Sequence, residues 1–536
     1  MYAALNIHSY YSIGWGTTSP EIICQRARDY GCSALAITDT DSIYGLIFGL
    51  DYAKTFGVRA IVGAELSSQG RRVTLLVRNR AGYSNLCHLI TKRKQDCNFM
   101  LEKALLEHSD GLVIMTDNVI LLKNLFGKVQ HLYAELIRAA PVVELLRTAR
   151  TLGVKPVATC RAFWVDPKDY QLHRLNRAIS LNTTFHDLPA SECVSPRSRF
   201  LSEPEMRGAF DFCPEAVDNT LEVAGLCNWE PDFGIVYPEV NPNVNGQAIG
   251  QLRKMAYTGA RNRYGQISDE VTNRLEHELK LIEEKGFAPV FLVVEDIVNK
   301  SPRTCGRGSA AASIVSYCLG ITHVEPLTNK LFFERFINSA RVDPPDIDID
   351  FAWDERDDVL NYVFNKYGVD NAAMVSNHVT FQKRSAIRET AKVYGLPDAE
   401  IGAVTKKISY SFRFNEMELQ EQPALREQSF APPWDEILVL AERLDGIPRH
   451  LSVHCGGVVV TPGPTANWVP TEVAPKGVRI IQWEKDQTED SGLVKIDLLG
   501  NRSLAVIRDA LIAVKENHNV EIDYSSWTPQ TDPATQ

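Results

Sequence analysis

The stretch PPDIDIDF, residues 344–351, decides how the rest of the chain is read. Side chains alternate along an extended strand, so Asp346, Asp348 and Asp350 share one face while Ile347 and Ile349 face a core. Carboxylates about 6.6–6.8 Å apart on one face repel each other unless a cation lies among them. Ligands that are all oxygen favour Mg²⁺, or Mn²⁺, over zinc. Two such ions about 3.5–4 Å apart can clamp both the attacking and the leaving oxygen of a phosphoryl transfer. A solvated acidic strand would carry the same letters, so the triplet needs company.

That company lies on both sides. About 40 residues upstream stands GRGSAAAS, residues 306–313. Gly306 and Gly308 let the backbone approach an anion, and Arg307 and the Ser309 hydroxyl offer donors. The apolar run 310–318 predicts a helix whose N-terminus would attract phosphate. No Gly-Lys-Ser/Thr follows, so this is not a Walker A loop. A tight turn before a packed helix is the plain alternative. Downstream, LVKIDLLG (493–500) sets Asp497 in an apolar strand, a costly place for a charge without a metal or a partner. Lys495 shares its face. Between them, Lys383, Arg384, Arg388 and Lys392 recur at helical spacing, and the last three form an i, i+4, i+8 stripe that a phosphate backbone could follow. Such a stripe is more often a wet helix face. The conjunction, not any one motif, points to two-metal nucleotidyl transfer.

Composition sets wider bounds. The 536 residues carry 67 acidic and 57 basic side chains, net −10, and 44% are hydrophobic. At about 100–200 residues per domain this predicts three or four domains. The acidic balance argues against a surface that coats nucleic acid everywhere, while leaving room for a local basic channel. Eleven cysteines without a C-x-x-C pair read as reduced core thiols in a cytoplasmic protein. No apolar run approaches the ~20 residues of a membrane span, and the start, MYAALNIHSYYS, lacks a secretory pattern.

Over the first 230 residues, apolar runs at 34–39, 60–66, 73–78, 112–116, 132–136 and 156–160 alternate with helical patterns at 20–30, 44–56, 83–92 and 142–152. This rhythm predicts parallel strands with helices outside, in a barrel or a doubly wound sheet. A proline-rich stretch, 237–247, reads as a linker. A helix is expected over 269–285, a basic helix over 381–394, and polar helical sequence to about 443. Strands at 457–461, 479–482 and 493–499 and one last helix complete the pattern.

At GRGSAAASIVSYCLGIT, FFERFINSARVDPPDIDIDF and QWEKDQTEDSGLVKIDLLG the chain resembles the bacterial C-family DNA polymerases (DNA polymerase III α subunit). The likeness runs from about residue 3 to 534, and SNHVTFQKRSAIRETAKVYG resembles the error-prone or otherwise divergent branch. The resemblance implies an α/β multidomain fold: a PHP-type β/α barrel, then a polymerase-β-like nucleotidyltransferase palm with an inserted helical thumb. The implied domains are 1–235 (PHP), 236–394 (first part of the palm), 395–450 (thumb) and 451–536 (second part of the palm). It also implies Asp348, Asp350 and Asp497 as catalytic ligands of two Mg²⁺ (or Mn²⁺), with Asp346 adjacent. Gly306, Arg307, Gly308, Ser309 and Lys495 would meet the dNTP phosphates, and Lys383, Arg384, Arg388 and Lys392 the DNA.

Two departures from the family pattern stand out. Of the metal ligands expected in a PHP barrel, only His8, Asp39 and Glu65 remain, and Arg72 and Arg161 stand where ligands are expected. The barrel is therefore expected to be structural. The family also continues into a fingers region, and this chain is expected to end before it. Implied partners are primer–template DNA, dNTPs and a fingers-containing polypeptide, with a sliding clamp or proofreading subunit as further candidates and no membrane. A non-catalytic scaffold and a PHP phosphoesterase are the competing readings.

Overall fold

A computed structural model of the chain describes residues 1–138, 140–238, 248–301, 304–340, 344–408 and 432–522. The described residues form two compact units. One comprises Met1–Asp232, Ser376–Ser452 and Ala466–Lys476; the other comprises Phe233–Val375, Val453–Thr465 and the chain from Gly477 on.

In the first unit, seven strands follow one another in chain order: Ala4–Ile7, Leu35–Ile37, Ala60–Ser68, Arg71–Val77, Leu112–Thr116, Leu132–Ile137 and Pro156–Thr159. Ladder-like bonds near the first strand (His8 N to Ala162 O, 2.7 Å; Ala162 N to Asn6 O, 3.2 Å) nearly close the sheet into a barrel. The fourth strand corrects the all-parallel expectation: it runs antiparallel to both neighbours. Its cause is local. Gln69 (φ 52°) and Gly70 (φ 72°) form a two-residue turn with positive φ at both positions, the geometry that joins antiparallel strands. Helices Pro20–Asp29, Leu46–Phe56, Arg80–Gln95 and Val143–Leu152 fall on the four predicted segments.

The expected thumb and the basic helix Lys383–Val393 pack together in this unit. Phe381, Ala386, Ile387 and Ala391 share a core with Ile401, Trp434, Ile437 and Leu440, and with Leu172 and Leu175 of helix Tyr170–Ser180. The chain enters this grouping at Ser376 rather than at 395. Residues 409–431 of the expected thumb, 239–247 of the expected linker and the tail from 523 lie outside the described residues.

The second unit contains a mixed sheet in which strands Arg479–Ile481, Ala372–Thr380, Pro448–Val460, Lys495–Asn501, Ile347–Ala352 and Thr304–Arg307 follow in that order. The central strand Ile347–Ala352 pairs parallel with Lys495–Asn501 and antiparallel with Thr304–Arg307. As the alternation predicts, Ile347, Ile349 and Phe351 are buried on the face opposite the aspartates. Helix Arg502–His518 begins against this sheet, with Leu504 and Ala505 packed on Ala352.

Candidate active site

Strand register gathers the acidic residues. Asp348 pairs with Asp497 across the parallel ladder, Asp497 with Gly457 on one side, and Asp348 with Arg307 on the other. A single cross-strand row therefore reads Gly457, Asp497, Asp348, Arg307. Two residues back along the strands, Lys495 Nζ lies 2.6 Å from Asp497 Oδ2 and 3.2 Å from Asp346 Oδ1. Oxygens of Asp346, Asp348 and Asp497 all fall within 4.8 Å of one another. Asp350 stands further along the same strand face, where one oxygen accepts from Asn501 Nδ2 at 2.9 Å and the other lies 3.6 Å from Arg307 Nε.

The electrostatics invite a cation. Burial pushes the Asp348 carboxyl up to about 6, and the neighbouring Asp346 and Asp497 charges push the same way. The Lys495 ammonium is raised despite burial, because Asp497 and Asp346 hold its proton. Asp497 Oδ1 is buried without a hydrogen-bond partner. Four aspartates thus face two cationic side chains, and one buried carboxylate oxygen is without a hydrogen-bond partner. This donor set fits a divalent ion bound through oxygen. Gly457 keeps the row open: a Cβ there would come within 2.9 Å of His454 Nδ1 and 3.2 Å of Asp497 Oδ1.

The GRGS segment differs from the helix-cradle expectation. Arg307 ends strand Thr304–Arg307, half-exposed, with Nε 3.9 Å from Asp348 Oδ2. Gly308 then takes φ +65°, a backbone that favours glycine, and Gly308–Ala312 is a 3₁₀ turn. The α-helix that follows, Ile314–Cys318, has its N-terminal donors taken internally. Glu278 accepts from Ser313 Oγ (2.7 Å), Ile314 N (3.1 Å) and Val315 N (3.2 Å), and pairs with Arg274 at 2.7 Å. A buried side-chain carboxylate therefore occupies the place predicted for phosphate, leaving Arg307 and Gly308 as the part of the motif beside the aspartates.

The four basic residues of the stripe have separate fates. Arg384 donates to the Ile408 carbonyl; Arg388 pairs with Asp398 at 3.1 Å; Lys392 lies 3.5 Å from Glu389. Lys383 contributes favourable charge beside Asp445. The sequence motifs missed His454, whose Nδ1 lies 3.7 Å from Asp497 Oδ1; its signal was the HCGG run ahead of an apolar strand.

In the barrel, the two residual carboxylates are tied to protein groups, while His8 Nε2, 3.6 Å from Glu65, is buried without a hydrogen-bond partner among the described residues. Glu65 accepts two bonds from Arg161, 2.6 and 2.7 Å, and Arg72 Nε lies 3.8 Å away. Burial alone would raise Glu65, but Arg161 and then His8 hold it well below the usual carboxylate range. Asp39 accepts from Ser9 N, Ser9 Oγ and Ser12 Oγ, each at 2.7 Å. His8 stacks on Phe163 with centroids 4.0 Å apart. Asn6, standing where the pattern expects a histidine, donates to Thr74 and Glu135 instead.

A model of the bacterial DNA polymerase III alpha NTPase domain matches residues 250–500, and a PHP domain model matches 4–152. The chain is 32% identical to an error-prone DNA polymerase of Symbiobacterium thermophilum, over 99% of the chain and 53% of that protein. Against the error-prone DNA polymerase of Rhodopirellula baltica it is 32% identical over 99% of the chain and 50% of that protein. For Mycobacterium tuberculosis the values are 33%, 97% and 51%. The chain spans about half the length of the curated relatives it matches.

Proposed function

The chain is a homologue of the bacterial error-prone, C-family DNA polymerases, and on that premise we propose that it supplies the palm of a DNA-directed DNA polymerase. The carrying observation is the row Gly457–Asp497–Asp348–Arg307, with the unmatched Asp497 oxygen inside it. Asp348, Asp497 and Asp346, with Asp350 beside them, would hold Mg²⁺, two ions in the full reading. Those ions supply charge for activating a primer 3′-hydroxyl and for the departing pyrophosphate. Lys495 orients Asp497 and Asp346, while Arg307, Gly308 and Ser309 face the triphosphate. Gly306 has a different place: a Cβ there would meet the Ile321 carbonyl at 2.3 Å, so it lets the strand pass close to that segment.

Substrates in this reading are dNTPs and primer–template DNA, and a fingers-containing polypeptide completes the nucleotide pocket; a clamp or proofreading subunit would be an additional partner. Among the described residues no helix is long and apolar enough to cross a membrane. Primer extension with Mg²⁺, dNTPs and a fingers-containing polymerase polypeptide tests the proposal. Extension that disappears in Asp348→Ala supports it; extension unchanged in Asp348→Ala, or in Asp497→Ala, overturns it.

The Arg161–Glu65 pair favours a second statement, that the barrel is structural rather than a phosphoesterase. Its guanidinium supplies the positive charge that the remaining carboxylate needs. Stoichiometric Mn²⁺ or Zn²⁺ retained by the full chain after Asp348→Ala and Asp497→Ala would contradict this.

A further inference from the structure

His454 lies on the long strand Pro448–Val460, three residues before Gly457. Its Nδ1 accepts the backbone amides of Gly457 at 2.8 Å and Gly456 at 3.3 Å. A ring nitrogen that accepts cannot also carry a proton, so the neutral ring bears its hydrogen on Nε2. The approach of Asp497 Oδ1 to Nδ1, 3.7 Å, is therefore acceptor against acceptor, and gives the carboxylate oxygen no hydrogen. Among the described residues Nε2–H has no hydrogen-bond partner, and the side chain is 15% exposed. The missing Cβ at Gly457 accommodates this arrangement: any larger residue would press on both Nδ1 and Asp497 Oδ1. The two strand amides fix one tautomer and leave Nε2–H as the free donor of a ring that lies against Asp497.

We propose that His454 is a substrate-contacting residue whose fixed Nε2–H donates to a non-bridging phosphate oxygen held beside Asp497. The proposal rests on the polymerase reading of the acidic row. A phosphate oxygen fits because it is anionic, accepts readily and would accompany the cation drawn to Asp497 and Asp348. The incoming triphosphate and the last phosphodiester of a primer share this chemistry.

Imidazole ¹⁵N NMR of the full chain tests the tautomer without any activity. The expected result is a pyridine-like Nδ1 and a pyrrole-like Nε2 for His454, assigned by difference with His454→Gln; the reverse tautomer or an imidazolium overturns the proposal. Titration with Mg²⁺·dNTP, and separately with primer–template, should move the Nε2 resonance in one arm, which identifies the source of the phosphate. If neither arm moves it, the proposal fails.

Two partial isosteres separate contact from shape, since Gln places an N–H near the Nε2 position and Asn an acceptor near Nδ1. With thermal denaturation confirming the fold, His454→Gln should bind that ligand within a few-fold of wild type. His454→Asn and His454→Ala should bind about 10–100-fold more weakly, as for loss of a bond to a charged group. Full binding by His454→Asn with loss in His454→Gln would assign the ring to shaping the strand at Gly456 and Gly457 alone. Mg²⁺-dependent binding that survives Asp348→Asn would instead overturn the reading of the acidic row, and a correct tautomer in that sample would separate the two failures.

Discussion

Glu65 in the barrel and Asp497 in the mixed sheet are both buried carboxylates, yet Arg161 takes both oxygens of the first while Lys495 takes only one of the second. The barrel centre is closed with guanidinium. Its other acidic groups are also matched: Asp39 by the two serines, and Glu135 by Asn6, Thr74 and Thr159. The acidic row is left open, with four aspartates against Lys495 and Arg307. The difference shows how similar ligand chemistry becomes a structural staple or an ion site according to whether the protein's own cations balance the carboxylates. An arginine brings a fixed charge and a fixed fork; a divalent ion brings exchangeable coordination sites.

The largest effect should come from breaking the closed centre. Arg161→Met leaves Glu65 buried without its partner and should cost about 3–5 kcal/mol in the unfolding of the full chain, read by urea denaturation. Pairing it with Glu65→Gln should restore most of that loss. A cost below about 1 kcal/mol for the single variant would mean that the pair is not what holds the centre.

The open centre should respond to space. Gly457→Ala drives a methyl against His454, Val375 and Asp497. Overpacking of this kind costs about 1–3 kcal/mol, and Mg²⁺ should stabilise the variant less than wild type in thermal unfolding. An unchanged Mg²⁺ response would detach Gly457 from the ion site.

The next comparison is with protons. Asp348 is raised from 3.8 to about 6, so over that interval the folded chain holds a proton that the unfolded chain has released. Its contribution to stability is full below 3.8 and is lost as pH rises through about 6. A cation competes for the same carboxylate. Mg²⁺ affinity should therefore fall about tenfold per unit below pH 6 and level off above it. Calorimetric affinities that stay flat between pH 5 and 7.5 would remove Asp348 from the site. No comparable Mg²⁺ term is expected from Glu65, whose carboxylate is already paired.

How much of this could be read from sequence follows from the range of each interaction. The alternation in DIDID needs only a period of two, so the aspartate face was legible, as were the helix and strand segments around it. The register that brings Asp497 to Asp348 was not, because it joins strands about 150 residues apart. Glu278 filling the donors of helix Ile314–Cys318 was equally hidden: nothing in GRGSAAAS refers to a helix 35 residues earlier. Arg161 could be read as misplaced positive charge, but its grip on Glu65 spans 96 positions. His454 was passed over because a lone histidine ordinarily signals nothing; its tautomer depends on two glycine amides that the letters HCGG do not orient.

Arginines extend the comparison to its smallest effect. Arg161 closes a buried centre, Arg384 is turned to the Ile408 carbonyl, and Arg388 makes an exposed pair with Asp398. Only the third could exchange its partner for a DNA phosphate at little cost, because an exposed pair contributes about 0–1 kcal/mol. Arg388→Ala should therefore change stability by less than 1 kcal/mol while lowering the slope of log affinity against log salt for primer–template by about 0.9, one phosphate contact. Arg384→Ala should do the reverse, lowering stability more than it alters the salt slope, since its guanidinium bonds within the fold. Equal salt slopes for wild type and Arg388→Ala would mean that the helix face is merely solvated; the helical spacing would then reflect packing of Ala386, Ile387 and Ala391 on the opposite side, and no path for DNA.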